Sequence, residues 1–288
     1  MSNQQCRREY AADPTLEDRV FDLLETWFEG ISKRRRQSAL LGASWAHCSI
    51  PFVREKKGQL VSHVGLLDMP FVIDGKSQTL GGIHGVCTLE SERRQGHFRV
   101  IMEELLDYCE DRYETLELGT ENPEYYEPFG FRIVPEHRFR AEIVPIRGHA
   151  GFRPFDAERD LETLDRLLSE RVPISGRIGV ENEHQVFKFT NGADDLHYSE
   201  ALDCFAVCEV EESRLSLLDI VAREIPPLDE LLAQFEEPID AVEFYFTPDR
   251  FDVETTPEVY RWDSDYYMVR GAFELERERF MIPPTARH

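Results

Sequence analysis

Arg93-Arg94-Gln95-Gly96-His97-Phe98-Arg99 stands where an apolar strand gives way to a helix. Before it, Thr79-Leu-Gly-Gly-Ile-His-Gly-Val-Cys-Thr-Leu89 reads as a buried strand. After it, Val100-Ile-Met-Glu-Glu-Leu-Leu-Asp-Tyr-Cys109 carries apolar residues at helical spacing. A helix N-terminus presents N–H groups without helical partners and a partial positive charge, so it attracts phosphate. Gly96 lets the backbone approach an anion closely. Arg93, Arg94 and Arg99 add fixed positive charge in an otherwise acidic chain. Taken alone, a basic glycine turn is equally the mark of a solvated surface loop.

A second segment narrows the reading. Residues 115–131 run Thr-Leu-Glu-Leu-Gly-Thr-Glu-Asn-Pro-Glu-Tyr-Tyr-Glu-Pro-Phe-Gly-Phe. They read as a strand, a short helix carrying Tyr126, and Gly130-Phe131 opening another strand. Together the two segments resemble the GNAT acyltransferase superfamily. Its pyrophosphate loop has Arg or Gln first, Gly fourth and Gly or Ala sixth. About thirty residues later comes Tyr-Glu-x-x-Gly-Phe. Arg93 and Gly96 match the first and fourth positions, and Tyr126-Glu127-Pro128-Phe129-Gly130-Phe131 matches the second motif. Phe98 departs from the pattern at the sixth. Arg93-Arg94-Gln95-Gly96-His97-Phe98 is also similar to the loop of enhanced-intracellular-survival-type acetyltransferases, which tolerate a bulky apolar sixth residue. Those proteins add a second GNAT-like domain and a sterol-carrier-like domain, and this chain is long enough for the first two parts only. The resemblance covers roughly residues 1–145.

The resemblance implies an α/β (α+β) fold with a GNAT-like mixed, mostly antiparallel sheet flanked by helices. A second, degenerate GNAT-like domain would follow. It implies acetyl-CoA as co-substrate, with the pantetheine arm added strand-like to the backbone of Val86, Cys87 and Thr88. The pyrophosphate would meet the loop formed by Arg93, Arg94, Gln95, Gly96, His97, Phe98 and Arg99. Tyr126 would protonate the leaving thiolate as general acid, with the adjacent Tyr125 as the alternative. Some members place a Glu base on the strand before the loop. Counting back from Gly96, that position is Gly82, so the residue is missing here. His84 is two residues on, hence on the same strand face, and imidazole titrates near neutrality. His84 is thus the candidate base, with a core histidine as the plain alternative. In the most similar family the chain's own C-terminal carboxylate serves the active site. The function implied is direct acetyl transfer to a primary amine of a small molecule or protein. A non-catalytic acyl-CoA-binding regulatory or interaction module on the same fold is the competing reading.

Composition sets further bounds. Hydrophobic residues make up 41% of 288, enough for a sizeable core. No uninterrupted apolar stretch approaches a membrane span. Met1-Ser-Asn-Gln-Gln-Cys-Arg-Arg-Glu-Tyr10 has no apolar signal-peptide core, so a cytoplasmic protein is expected. Six scattered cysteines build no zinc-ligand cluster and read as free thiols, so no metal is expected. Net charge is −23, of which residues 141–288 carry −18 through 15 basic and 33 acidic residues. That balance argues against nucleic acid and suits a cationic amine drawn to the acidic half. A homo-oligomer is left open. The basic run Lys33-Arg34-Arg35-Arg36 is expected in a loop beside the cleft.

Along the chain, residues 16–29 read as an amphipathic helix, and 44–54 and 59–73 as strands split by Glu55-Lys-Lys-Gly58. Asp74-Gly75 marks the next turn. Gly and Pro interruptions at 145–154 set the expected boundary, giving a GNAT domain at 1–147 and a GNAT-like domain at 148–288. In the latter, a helix is expected over 156–171. Strands are expected near 185–190, 203–210, 215–222, 242–247 and 266–270, and Pro226-Pro227 opens a helix over 227–236. The second half repeats the coarse order of the first. Arg223-Glu-Ile-Pro-Pro227 stands where its phosphate loop would be, and has no Gly.

Overall fold

Two early reversals of the chain run through left-handed two-residue turns. Lys57 and Gly58 (φ 52° and 83°) form one, Asp74 and Gly75 (φ 47° and 75°) the other. Both sit at the positions that short hairpins require to match strand twist. The computed structural model describes residues 5–190 and 195–288. Residues 1–4, the start of the N-terminal segment read above, lie outside the described residues.

In chain order, helices α1 (Leu16–Glu25), α2 (Ile31–Leu40) and the single turn α3 (Trp45–Cys48) precede strands β1 (Ser49–Lys56), β2 (Gln59–Ile73) and β3 (Lys76–Thr88). Helix α4 (His97–Cys109) follows, then β4 (Thr115–Thr120), β5 (Arg132–Ile133), β6 (Glu136–Glu142) and β7 (Phe152–Pro154). The rest comprises α5 (Ala157–Glu170), β8 (Ile178–Val180), α6 (Gln185–Thr190), β9 (Leu196–Ser199), β10 (Cys204–Glu211), β11 (Arg214–Val221), α7 (Leu228–Leu232), β12 (Ala241–Phe244), β13 (Thr256–Tyr260) and β14 (Tyr266–Gly271).

These strands build two sheets. The first has the order β1-β2-β3-β4-β14-β5, with β8 added to β2. The second has the order β13-β6-β12-β11-β10-β9-β7. In the first, β1, β2 and β3 pair antiparallel, β3 pairs β4 parallel, and β14 pairs β4 and β5 antiparallel. In the second, β9, β10 and β11 pair antiparallel, β11 pairs β12 parallel, and β6 pairs β12 and β13 antiparallel. The succession is the same. The strand in the fifth place is traded: β14 comes from the second half, β6 from the first. Residues 1–147 and 148–288 therefore do not correspond one to one with the two sheets.

The first sheet is covered on both faces. On one, Phe21, Trp45, Met69, Phe71 and Leu80 pack with Val186, Phe189, Phe280 and Ile282 from the second half. On the other, α4 places Ile101, Met102 and Leu105 against Leu66, Ile83, Leu116 and Leu118. The segment 280–286 is buried throughout.

Local structure departs from expectation at several places, among them α1, which ends at Glu25, and β12, which ends at Phe244. Residues 185–190 form α6 rather than a strand. Glu183 accepts N–H bonds from Val186 (2.7 Å) and Phe187 (2.8 Å), which satisfies the first turn of a helix. The run is buried all round, so its apolar pattern does not separate helix from strand. Lys33–Arg36 lies within α2, not in a loop, because Glu25 accepts the N–H groups of Gly30 (2.7 Å) and Ser32 (2.8 Å) and starts the helix there. Residues 45–48 turn once as α3 before β1 begins. The helix after Pro226-Pro227 is only five residues long.

Candidate active site

β3 and β4 touch at only two residue pairs, Gly81↔Leu116 and Gly82↔Glu117. Beyond them β3 continues to Thr88 alongside β2, and β4 continues to Thr120 alongside β14. The strands part, and the facing edges of 83–88 and 118–120 do not pair with each other. Backbone N–H and C=O groups in such an edge call for a partner, and an extended amide-bearing chain has the right shape. Two carbonyls on the β3 side are already met. Ser62 Oγ donates to Cys87 O (3.1 Å) and Trp27 Nε1 donates to Thr88 O (3.1 Å).

The gap leads to the start of α4. A short 3-10 turn spans Glu90–Glu92, then Arg94 (φ 59°) and Gly96 (φ 83°) both take left-handed conformations. Gly96 is the N-cap, and no side chain caps the helix. Val100 N–H bonds back to Gly96 O, so the N–H groups of His97, Phe98 and Arg99 precede the first helical bond. Left-handed residues of this kind in a turn are the backbone from which anion nests are built. Arg94, Gln95 and Arg99 are exposed around it.

Three loop side chains sit elsewhere. Arg93 does not turn toward the nest; its guanidinium lies 3.9 Å from the centre of the Trp27 ring. His97 Nε2 is 3.5 Å from Glu92, which is held by Lys56 at 2.8 Å. Phe98 turns inward, edge-on to Tyr126 (5.7 Å) and Phe129 (5.6 Å). That packing explains the bulky sixth residue: the side chain supports the loop from beneath while its backbone stays outside.

Tyr126 sits between two 3-10 turns, at 123–125 and 127–129, rather than on a single helix. It is 6% exposed, whereas Tyr125 is 59% exposed. Burial raises the Tyr126 phenol well above its ordinary value, with the charge of Asp265 adding to this and a hydrogen bond with Thr120 opposing it. The hydroxyl is therefore protonated at neutral pH, the form an acid needs.

His84 lies on the other side of the sheet. Its Nε2 is hydrogen-bonded to Ser49 Oγ (2.8 Å) and its ring stands edge-on to Trp45 (4.9 Å). A Cβ on Gly65 would collide with this ring, so the imidazole occupies the space that glycine leaves. Burial holds His84 well below the usual imidazole range, and the charges of His63 and His288 add to that. Ile83, its strand neighbour, shares the cluster of Tyr126 on the opposite face. The structure therefore does not bring His84 and Tyr126 together; they flank the opening from two sides.

Sequence reasoning passed over a group on the His84 side. Glu117 is 4% exposed. Its Oε1 is 3.3 Å from His288 Nε2, without hydrogen-bond geometry. Burial pushes the Glu117 carboxyl up to about 8 and pushes His288 down to about 4. At neutral pH both are mostly uncharged, so the contact is not an ion pair. Tyr267 is buried beside them with an unbonded hydroxyl. Arg287 pairs with Glu136 at 2.5 Å. The signal for Glu117 was present: an acid in the middle of Thr-Leu-Glu-Leu, where alternation points it away from the leucine face.

The second sheet differs at the matching place. β11 and β12 pair over four positions, Arg214↔Ala241 to Leu217↔Phe244. Past them stands a buried ion pair, Arg171 to Asp219 at 2.7 Å, with Thr285 Oγ1 donating to Asp219 at 2.6 Å. Asp219→Ala leaves a buried arginine without its counter-charge, and should cost about 3–5 kcal/mol in urea unfolding; a loss under about 1 kcal/mol would mean that water or another group compensates. Helix α7 follows Pro226 and Pro227, which have no N–H, and carries Asp229 and Glu230 in its first turn.

Among the described residues no cluster of three or more His, Cys, Asp or Glu is placed to hold a metal, and no helix is long and apolar enough to cross a membrane. Residues 11–134 match the model of the acetyltransferase (GNAT) domain. None of the curated proteins matches the chain by sequence. A probable N-acyltransferase from Enterococcus faecalis V583 is 14% identical over 93% of this chain and 71% of its own, with a TM-score of 0.62. Eis1 from Mycobacterium abscessus is 14% identical over 90% of this chain and 71% of its own, with a TM-score of 0.57. A GCN5-related N-acetyltransferase from Kribbella flavida is 17% identical over 88% and 68%, with a TM-score of 0.51. At such identities these likenesses speak to the fold.

Proposed function

Residues 11–134 belong to the GNAT acetyltransferase family, and from that premise we propose that the chain transfers an acetyl group from acetyl-CoA directly to a primary amine. The observation that carries this is the opening between β3 and β4, which leads straight to the uncapped N-terminus of α4. The N–H groups of His97, Phe98 and Arg99, with Arg94 and Arg99 beside them, suit a pyrophosphate. The edge at Val86, Cys87 and Thr88 suits the amide groups of pantetheine, and the thioester supplies the activated acetyl group. Tyr126, held protonated beside this edge, serves as the proton donor to sulfur.

The acceptor is a small molecule or a protein amine, and a cationic one fits the acidic second half. In this reading the enzyme is cytoplasmic and holds one cofactor per chain. Residues 1–147 completed by β14 make the working unit, and residues 148–288 completed by β6 make a GNAT-like unit without a phosphate cradle.

The reading is tested by CoA release from acetyl-CoA in the presence of a panel of amines. Tyr126→Phe should lower turnover about 100-fold, within the range for loss of a general acid, and leave acetyl-CoA affinity within about two-fold. Unaltered turnover would remove Tyr126 from the mechanism. One observation favours a second reading, a regulatory acyl-CoA-binding module. Ile282 and Ala286 are buried in the cluster of Trp45, the ring against which His84 stands, and His288 fills the space a Gly82 side chain would take. Tight acetyl-CoA binding with no CoA release from the wild type would select it.

A further inference from the structure

Gly82 is the last residue of β3 that pairs with β4. Directly across the parallel pair from it stands Glu117. A Cβ on Gly82 would collide with His288 Nε2, and that nitrogen is 3.3 Å from Glu117 Oε1. The carboxylate on β4 therefore reaches the space into which a β3 side chain would project. The pair Gly82↔Glu117 is also the last one before the strands part, so this space adjoins the inner end of the opening.

We propose that Glu117 is the general base, taking the proton from the acceptor amine. This deepens the acetyl-transfer reading and rests on it. Glu117 Oε1 is a buried oxygen with no hydrogen-bond partner. A buried carboxyl left without a partner costs stability, and a proton-accepting role gives that oxygen a use. Glu117 is also the stronger proton acceptor of the two candidates. His84 is held neutral well below neutrality, while Glu117 is set near the pH at which a base works best.

The groups facing Glu117 come from every element packed on it. They are Tyr267 on β14, Glu136 on β6, and Arg287 and His288 in the segment after 280, with His84 on β3 standing behind His288 at 6.2 Å between ring centres. Burial is the main cause of its raised value; Arg287 opposes it and Glu136 adds to it. Leu116 and Leu118 point to the Tyr126 side and Glu117 to the other. Base and acid thus stand on opposite faces of the sheet, with the opening between them. The nitrogen–carbon bond forms as the amine proton passes to Glu117. The carbon–sulfur bond breaks as sulfur takes the Tyr126 proton. Glu117 then releases its proton to solvent and Tyr126 regains one, so the enzyme is restored with no other reactant.

The test uses the full chain, acetyl-CoA as donor, spermidine as probe amine, and water as acceptor in a control without amine. CoA release is followed from pH 6 to 10, and acetyl-CoA affinity is measured by calorimetry. The wild type should gain activity with a midpoint near 8. Glu117→Gln should lose at least 100-fold in kcat, lose that midpoint, and bind acetyl-CoA within two-fold of the wild type. Glu117→Asp should recover part of the activity with a displaced midpoint, which a merely structural role would not do. If Glu117→Gln keeps the wild-type rate and midpoint, this assignment falls and acetyl transfer stands. If the wild type binds acetyl-CoA but releases no CoA to spermidine, to the amine panel or to water, both fall.

Discussion

Residues 1–147 expressed alone will not fold. In the intact chain β14 supplies six backbone pairs to β4 and, among the described residues, the strand partner of β5, through Met268↔Ile133 and Val269↔Arg132. Tyr267, Met268 and Val269 are each at most 3% exposed. Burying side chains of this size stabilises by roughly 1.5–3 kcal/mol each. The fragment also loses Val186, Phe189, Phe280 and Ile282 from the core beneath α1. Meanwhile β6 is left with Phe139 and Ala141 uncovered, since their partners Phe244 and Val242 belong to the missing half. A domain holds a net stability of only about 5–15 kcal/mol, and these losses exceed it. Far-UV circular dichroism and amide dispersion in NMR should show no cooperative unfolding in the fragment. Adding residues 148–288 in trans should restore both. A fragment that melts cooperatively on its own would mean that the strand exchange is optional.

The second large effect is expected at Gly96. Its φ of 83° belongs to glycine, yet a Cβ there would meet nothing within 4 Å. Gly96→Glu therefore costs about 1–2 kcal/mol of backbone strain and should leave the chain folded. It also sets a carboxylate at the N-terminus of a 13-residue helix, where it would cap the free N–H groups itself. A pyrophosphate meets both the occupied donors and a like charge. Calorimetry should show at least a 100-fold loss of acetyl-CoA affinity, with Gly96→Ala losing less than ten-fold. Retained affinity in Gly96→Glu would place the cofactor somewhere other than the 93–99 loop.

What the sequence conveyed follows from how local each signal was. The strand, loop and helix around Arg93–Arg99 depend on neighbours, as do the Lys57-Gly58 and Asp74-Gly75 turns, and all could be read directly. In the second half β10, β11, β12 and β14 were legible, whereas the short strands β7, β8, β9 and β13 were not, because three to five residues carry too little pattern. Residues 185–190 were not, because an apolar run buried all round has no periodic face and the deciding cap comes from Glu183. The side chain of Arg93 was misplaced for a similar reason: Trp27 captures it from a distant helix end. For Glu117 the alternation in Thr-Leu-Glu-Leu gave its face of the strand, but its neighbour across the sheet is set by the register of β4 against β3, which no spacing encodes. The same holds for the exchange of β6 and β14, whose partners lie 99 residues away or more.

That exchange has a consequence during synthesis. A polypeptide emerges from its N-terminus at roughly 5–20 residues per second. After β5 leaves the ribosome, well over a hundred residues must follow before β14 exists, which takes on the order of 10 s by the same rate. Throughout that interval the outer edge of β4 is an unpaired strand, able to join any similar edge on a neighbouring nascent chain. Yield in the cell should therefore depend on translation speed through 148–271 and on holdase chaperones, more than on the stability of the finished protein.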